Sequence, residues 1–159
     1  MQVETHGKSL KYLVSYADEM VSDSKNDQQH RTLLLNLAEI YLKKLIDFYY
    51  EEKSSCMQGY IYQKLAWVKY LSSDYELAEK HFLYAIINLK NCKICVQQLL
   101  ESYWGLINTY IILNKIKVAK KYFLSYYRLL SHYPTISLEE DFDYVVQVLN
   151  LSVEDLLKK

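Results

Sequence analysis

Only three glycines and one proline punctuate the 159 residues of this chain. Those two residue types make the tight turns and left-handed corners on which sandwiches, doubly wound sheets and phosphate loops depend. A chain so poor in both is confined to long helices joined by short polar connections. With 51% hydrophobic and 24% charged residues it has enough apolar surface for a core, which argues against disorder. Its length makes one domain the natural count. Seventeen tyrosines fit the same picture, because a phenol packs on a half-buried helix face while its hydroxyl reaches water.

Hydrophobic spacing divides the chain. Leu10, Leu13, Val14, Ala17 and Val21 recur three or four apart, which predicts a helix from Lys8 to Val21. The polar run from Ser22 to Asp27 ends it. A second helix, Gln29 to Tyr50, is apolar on several sides (Leu33, Leu34, Leu35, Leu37, Ala38, Tyr41, Leu42, Leu45), the pattern of a helix sandwiched between neighbours. These two make an N-terminal helical pair over 8–52.

A self-match follows at an offset of 41. Tyr62, Leu65, Ala78 and Phe82 align with Tyr103, Leu106, Ala119 and Phe123, and Leu89 with Leu130. Fixed-period similarity of this kind marks stacked supersecondary units. Each unit reads as two antiparallel helices: Gln58–Leu71 with Asp74–Leu89 in the unit 57–92, and Val96–Leu113 with Ile116–Ser131 in the unit 95–132. Ser73 and Glu76 have the spacing of a capping box ahead of the second helix. These residues resemble the tetratricopeptide repeat, with its large residue and leucine in one helix and its alanine and aromatic in the next. The period is longer than that family's usual ~34 residues, and Ile107 stands where a small residue is usual. The resemblance implies a right-handed α–α superhelix of about seven antiparallel helices. In it Ala78 and Ala119 leave room for a close helix crossing, while Phe82 and Phe123 reach the next unit. Beyond Pro134, Ser137 with Glu140 and the stripe Phe142, Val145, Val146, Leu149 predict a capping segment over 137–158. Ser152 with Asp155 should cap its final turn.

Function classes narrow by charge and motif. Nineteen basic and nineteen acidic residues cancel, whereas a nucleic-acid binder usually carries a basic footprint. No apolar run is long enough to span a membrane, and the polar start of the chain has no signal-peptide character. An odd number of cysteines in such a chain points to the cytosol or nucleus. Histidines 6, 30, 81 and 132 are scattered, with no HExxH pair. Glu139, Glu140, Asp141 and Asp143 share the first turns of one helix, where negative charge suits the macrodipole. Without a glycine-rich loop or nucleophile motif, no catalytic residue and no cofactor are expected.

Cys92 and Cys95 form a lone CxxC, and Cys56, Cys92, Cys95 and His132 all fall at unit edges. Neighbouring units should stack about 10 Å apart, while ligands of one zinc lie roughly 4 Å from each other. On that spacing no metal site is expected, only reduced thiols near loops. A basic run, Lys115, Lys117, Lys120, Lys121 and Arg128, lines one helix; it reads as a solvated face turned toward the acidic start of the next helix, with contact to an acidic partner or to RNA as the other possibility.

Trp67 and Trp104 lie off the intra-unit seam. In the resembled family that face lines a concave groove, which here would carry Tyr60, Gln63, Trp67, Tyr70, Leu71, Glu101, Trp104, Asn108, Ile111 and Ile112. Aromatic anchors of this type make interface hot spots; equally, a helix of the chain itself could fill the groove and bury both indoles. Asn108 matches the family's carboxylate clamp, but Gln63, Trp67 and Trp104 replace its other residues, so that clamp is not expected. The expected function is a protein–protein interaction module or assembly subunit holding an apolar or amphipathic segment of another protein. Two alternatives stand beside it. One is a peptide-sensing domain related to Gram-positive quorum-sensing regulators, without a legible DNA-binding part. The other is an RNA-binding helical repeat, whose affinity would fall steeply with salt.

Overall fold

Helices account for all regular secondary structure among the described residues of the computed structural model, which are 15, 17–25, 27, 29–51, 55–137, 139 and 141–157. Residues 8–14 and 16 of the expected Lys8–Val21 helix, residues 52–54 of the expected Glu51–Ser55 break and the cap residue Glu140 lie outside them. Residues 17–25 are helical. Seven further helices follow: α1 (Arg31–Glu51), α2 (Ser55–Leu71), α3 (Tyr75–Leu89), α4 (Val96–Ile112), α5 (Ile116–Leu130), α6 (Phe142–Val148) and α7 (Val153–Leu157). From α1 to α5 each helix packs on the next, and α2 also touches α4.

Two cores share α2. Ile61, Leu65 and Val68 face Ala17 and the α1 residues Leu35, Ala38, Leu42 and Leu45. Ala66, on another side, joins the larger core built from α3, α4, α5 and Phe142, Val145 and Leu149. Central α4 is buried nearly all round, as a helix apolar on every face must be. Its polar members are neutralised locally: Ser102 donates to the Gln98 carbonyl and Thr109 to that of Gly105, both at 2.7 Å. The repeat positions Leu65, Ala78, Phe82, Leu106, Ala119 and Phe123 are all buried.

Three turns share one backbone device. Ser73, Asn114 and Asn150 take left-handed conformations, with φ of 61°, 56° and 47°. The residue after each donates back into the helix it leaves: Asp74 to Lys69 at 2.9 Å, Lys115 to Tyr110 at 2.8 Å, Leu151 to Val146 at 3.1 Å. This is the helix ending that glycine usually supplies. Ser73 and Asn114 stand at equivalent places of the repeat, so the match extends to turn geometry. The capping box expected at Ser73 is therefore corrected: Ser73 turns the chain, and Asp74 is the N-cap of α3, accepting from the Leu77 amide at 3.4 Å. The box at Ser152 and Asp155 does form, through reciprocal bonds of 3.1 Å. Exposed Ser73→Gly should raise stability by up to about 1 kcal/mol, read as a higher urea midpoint. Relief of left-handed strain, roughly 1–2 kcal/mol, outweighs the freedom glycine adds to the unfolded chain, roughly 0.4–1 kcal/mol. A lower midpoint would mean that Ser73 is unstrained.

The first helical segment runs past its expected end at Val21 as far as Lys25. Ser22 to Lys25 reads as a loop by composition, yet Ser24 is fully buried and donates to the Val21 carbonyl at 2.7 Å. No helix among the described residues is long and apolar enough to cross a membrane.

His81 on α3 stacks against Tyr62 at 5.8 Å, and its Nδ1 is buried without a hydrogen-bond partner. Burial, helped by the Lys69 charge, holds its pKa below the ordinary 6.5. The unfolded imidazole thus takes up its proton before the folded one. Stability should be undiminished above about pH 6.5 and fall as the pH drops below it toward the folded value. A melting series against pH checks this: His81→Gln should flatten that fall, and an equally steep fall in the variant would assign it to other groups.

Candidate functional site

A cleft of about 590 Å³ opens where the first helical segment, α2 and α4 face one another. Asp18, Val21, Ser22 and Lys25 form one wall at i, i+3, i+4 and i+7 of a helix; Lys64 and Trp67, then Glu101 and Trp104, form the others, and Glu139 completes the lining. Of the ten residues expected to line a groove, only Trp67, Glu101 and Trp104 belong to this lining. The expected apolar character is corrected too, because five of the nine lining residues are charged, with both signs present.

The remaining candidates are placed elsewhere by identifiable contacts. Tyr60 is half-buried, and its hydroxyl donates to Asp18 Oδ2 at 3.2 Å. Lys64 pairs with Asp18 Oδ1 at 3.0 Å and lies over the Tyr60 ring. Burial is the largest single influence on the Lys64 ammonium and opposes its charge, but Asp18 and Tyr60 together hold its pKa above the usual lysine value. Burial likewise pushes the Tyr60 phenol up. Gln63 is fully buried rather than a groove handle; its amide donates to Glu101 Oε2 at 2.6 Å and ties α2 to α4. Tyr70 sets its ring against Trp67 and Tyr75. Leu71 packs on the smaller core, where its carbonyl accepts from Arg31 at 2.9 Å. Asn108 donates to the Trp104 carbonyl of its own helix at 3.1 Å. Ile111 packs against the larger core, and Ile112 is exposed.

The two indoles divide. Trp67 is half-buried, edge-on to Phe82 at 5.2 Å. Trp104 is only 5% exposed. Its ring lies parallel to Phe142 of α6 (6.3 Å, 9°) and 5.3 Å from Tyr126. Of the two readings open for Trp104, the second holds: the C-terminal part of the chain packs over it through Phe142, and the little of the indole left exposed lines the cleft. Tyr126, buried beside it, has its phenol pushed up to about 12 by burial and by Glu139 and Asp141. Sequence reasoning misses Asp18, Val21, Ser22, Lys25, Lys64 and Glu139 as cleft residues. Asp18 and Val21 lie within the expected first helix, and Ser22 and Lys25 continue its spacing under a loop-like composition.

On the basic face, Lys117 and Lys121 are exposed, as is Arg128. Lys120 reaches Asp155 of α7 at 3.5 Å and the Asn150 carbonyl at 3.4 Å. Lys115 pairs with Glu79 of α3 at 2.6 Å. The acid that meets this face therefore includes Asp155, further along the chain than the start of the helix after Pro134.

The cysteines depart furthest from expectation. Cys56 and Cys92 are joined as a disulfide, with Cα atoms 5.7 Å apart, and the free Cys95 sets its sulfur 2.7 Å from that of Cys92. Stacked units lie about 10 Å apart, but these residues meet within one unit, at the open end of the α2–α3 hairpin, where the start of α2 lies beside the residues that follow α3. His132 takes no part; its Nδ1 lies 2.7 Å from the Arg128 carbonyl on α5. Burial pushes the Cys95 thiol up.

No protein-family model matches the chain, and neither a curated protein nor a solved structure matches it.

Proposed function

We propose that this chain is a non-catalytic protein–protein interaction module of the tetratricopeptide-repeat type, and that it holds an amphipathic segment of a partner in the cleft between residues 17–25, α2 and α4. The cleft is the observation that carries the reading. It holds about 590 Å³, is framed by three helical segments, and is lined by both charge signs beside two indoles. A segment with an apolar stripe for Trp67 and flanking charges for Lys25, Lys64 and Glu101 is the matching chemistry. The superhelical reading is supported by the repeat match, by the shared turn geometry of Ser73 and Asn114, and by α2 lying against both α3 and α4.

The test uses two exposed residues of the cleft wall. Ser22→Arg combined with Lys25→Glu should leave stability within about 0.5 kcal/mol, as surface substitutions do. Affinity purification from the native source with mass spectrometry should then show wild-type partners missing from the variant. A folded variant that retains the same partners would move the contact elsewhere, and the Lys117–Lys121 face would be tried next.

A further inference from the structure

We propose that in the reduced protein Cys56, Cys92 and Cys95 form a three-thiolate site for one thiophilic d10 metal ion, zinc(II) or copper(I). Their sulfur atoms all lie within 4.8 Å of one another. Three thiolates bound to a single ion by bonds of ~2.3 Å stand about 4 Å apart, a spacing these converging side chains reach by moving slightly apart once the Cys56–Cys92 bond is reduced.

The convergence is built from two directions. Cys56 occupies the first turn of α2. Cys92 and Cys95 bracket the turn into α4, closed by the Cys92 amide on the Leu89 carbonyl at 2.9 Å and the Cys95 amide on the Cys92 carbonyl at 3.1 Å. A disulfide accounts for two of the sulfurs and leaves the third without a role. Cys95 holds the N-cap position of α4 yet makes no side-chain cap bond; its sulfur turns to Cys92 instead. Two of the three sulfurs thus sit at helix N-termini, Cys56 in the first turn of α2 and Cys95 at the N-cap of α4. Cys92 is buried, whereas Cys56 and Cys95 are half-exposed, so an ion reaches the site from solvent.

Among the described residues no His, Asp, Glu or further Cys joins the group. Copper(I) is satisfied by three thiolates, while zinc(II) would take water or an outside ligand in its fourth place. Each thiol that binds gives up its proton to the medium and no electron is exchanged.

The experiment takes the full chain, reduced with a phosphine and freed of metal. Cobalt(II), the spectroscopic substitute for zinc, is titrated in one arm and copper(I) in the other. A thiolate-to-cobalt charge-transfer band that saturates at one equivalent and is bleached by zinc assigns the zinc form. Stoichiometric copper uptake with no cobalt band assigns the copper form. In either arm the signal should be lost in Cys92→Ser, Cys56→Ser and Cys95→Ser, with circular dichroism showing that each variant is helical. Alkylation of the wild type gives a second reading that needs no variant: the bound ion should protect all three cysteines together. Reduced wild-type protein that takes up neither metal would overturn the proposal. So would full uptake by Cys95→Ser, or alkylation unchanged by metal.

Discussion

Trp104→Ala should lower the stability of the domain by about 3–5 kcal/mol, the usual cost of emptying a buried aromatic site. For a domain of this size, that is a fall in melting midpoint on the order of 10 °C. The indole is enclosed by Tyr126 and Phe123 from α5 and by Phe142 from α6. Helix α6 has only seven residues, too few to hold itself together without tertiary contacts. Phe142, Val145 and Leu149 are its attachment to the larger core, so removing Trp104 also loosens the segment that closes that end of the domain. Trp67→Ala should cost less, roughly 1–3 kcal/mol, because its half-buried ring keeps contact with Phe82 and Tyr70 on one side only. A partner lost by Trp104→Ala would then be lost through unfolding, whereas one lost by a folded Trp67→Ala would be lost through the cleft. Urea unfolding of both variants separates the cases. If Trp104→Ala stays within about 0.5 kcal/mol of wild type, the indole is open and α6 does not cover it.

The contrast between the two tryptophans shows where reading a sequence stops. The period places both on one face, since helical spacing reports direction, but direction alone does not say what arrives from elsewhere in the chain. Phe142 reaches Trp104 from two helices further on, and no local pattern encodes that meeting. Helices α3, α4 and α5 are legible to within a residue or two, because the repeat match and the amphipathic stripes agree there. Ser22–Lys25 is not legible, since four small or charged residues look like a loop whether they face solvent or line a cleft. The cysteines fail for a different reason. The spacing that matters at a closing hairpin is between the ends of two antiparallel helices, which meet however far apart they lie in sequence.

Phe82→Ala should cost about 3–5 kcal/mol, and its more informative partner is Gly105. The Phe82 ring is fully buried, edge-on to Trp67, and rests against the backbone of α4 where Gly105 has no side chain. A Cβ at Gly105 would run into the ring atoms of Phe82, and an enclosed ring cannot swing aside as the tip of a lysine could. Gly105→Ala in the wild type is therefore an overpacking change, costing about 1–3 kcal/mol even after the roughly 1 kcal/mol that alanine gains over glycine in a helix. With Phe82 already alanine, the methyl group has space and only the helical preference remains. The same substitution should then stabilise by up to about 1 kcal/mol. The sign should reverse between the two backgrounds, with a coupling energy on the order of 2 kcal/mol. Additive effects would mean that Phe82 does not seat on Gly105. The offset of 41 explains why this glycine is needed once only: the equivalent junction upstream has Tyr41 and Lys64 in place of Phe82 and Gly105. There Lys64 turns to Asp18 and the cleft, and no buried ring asks the helix for room.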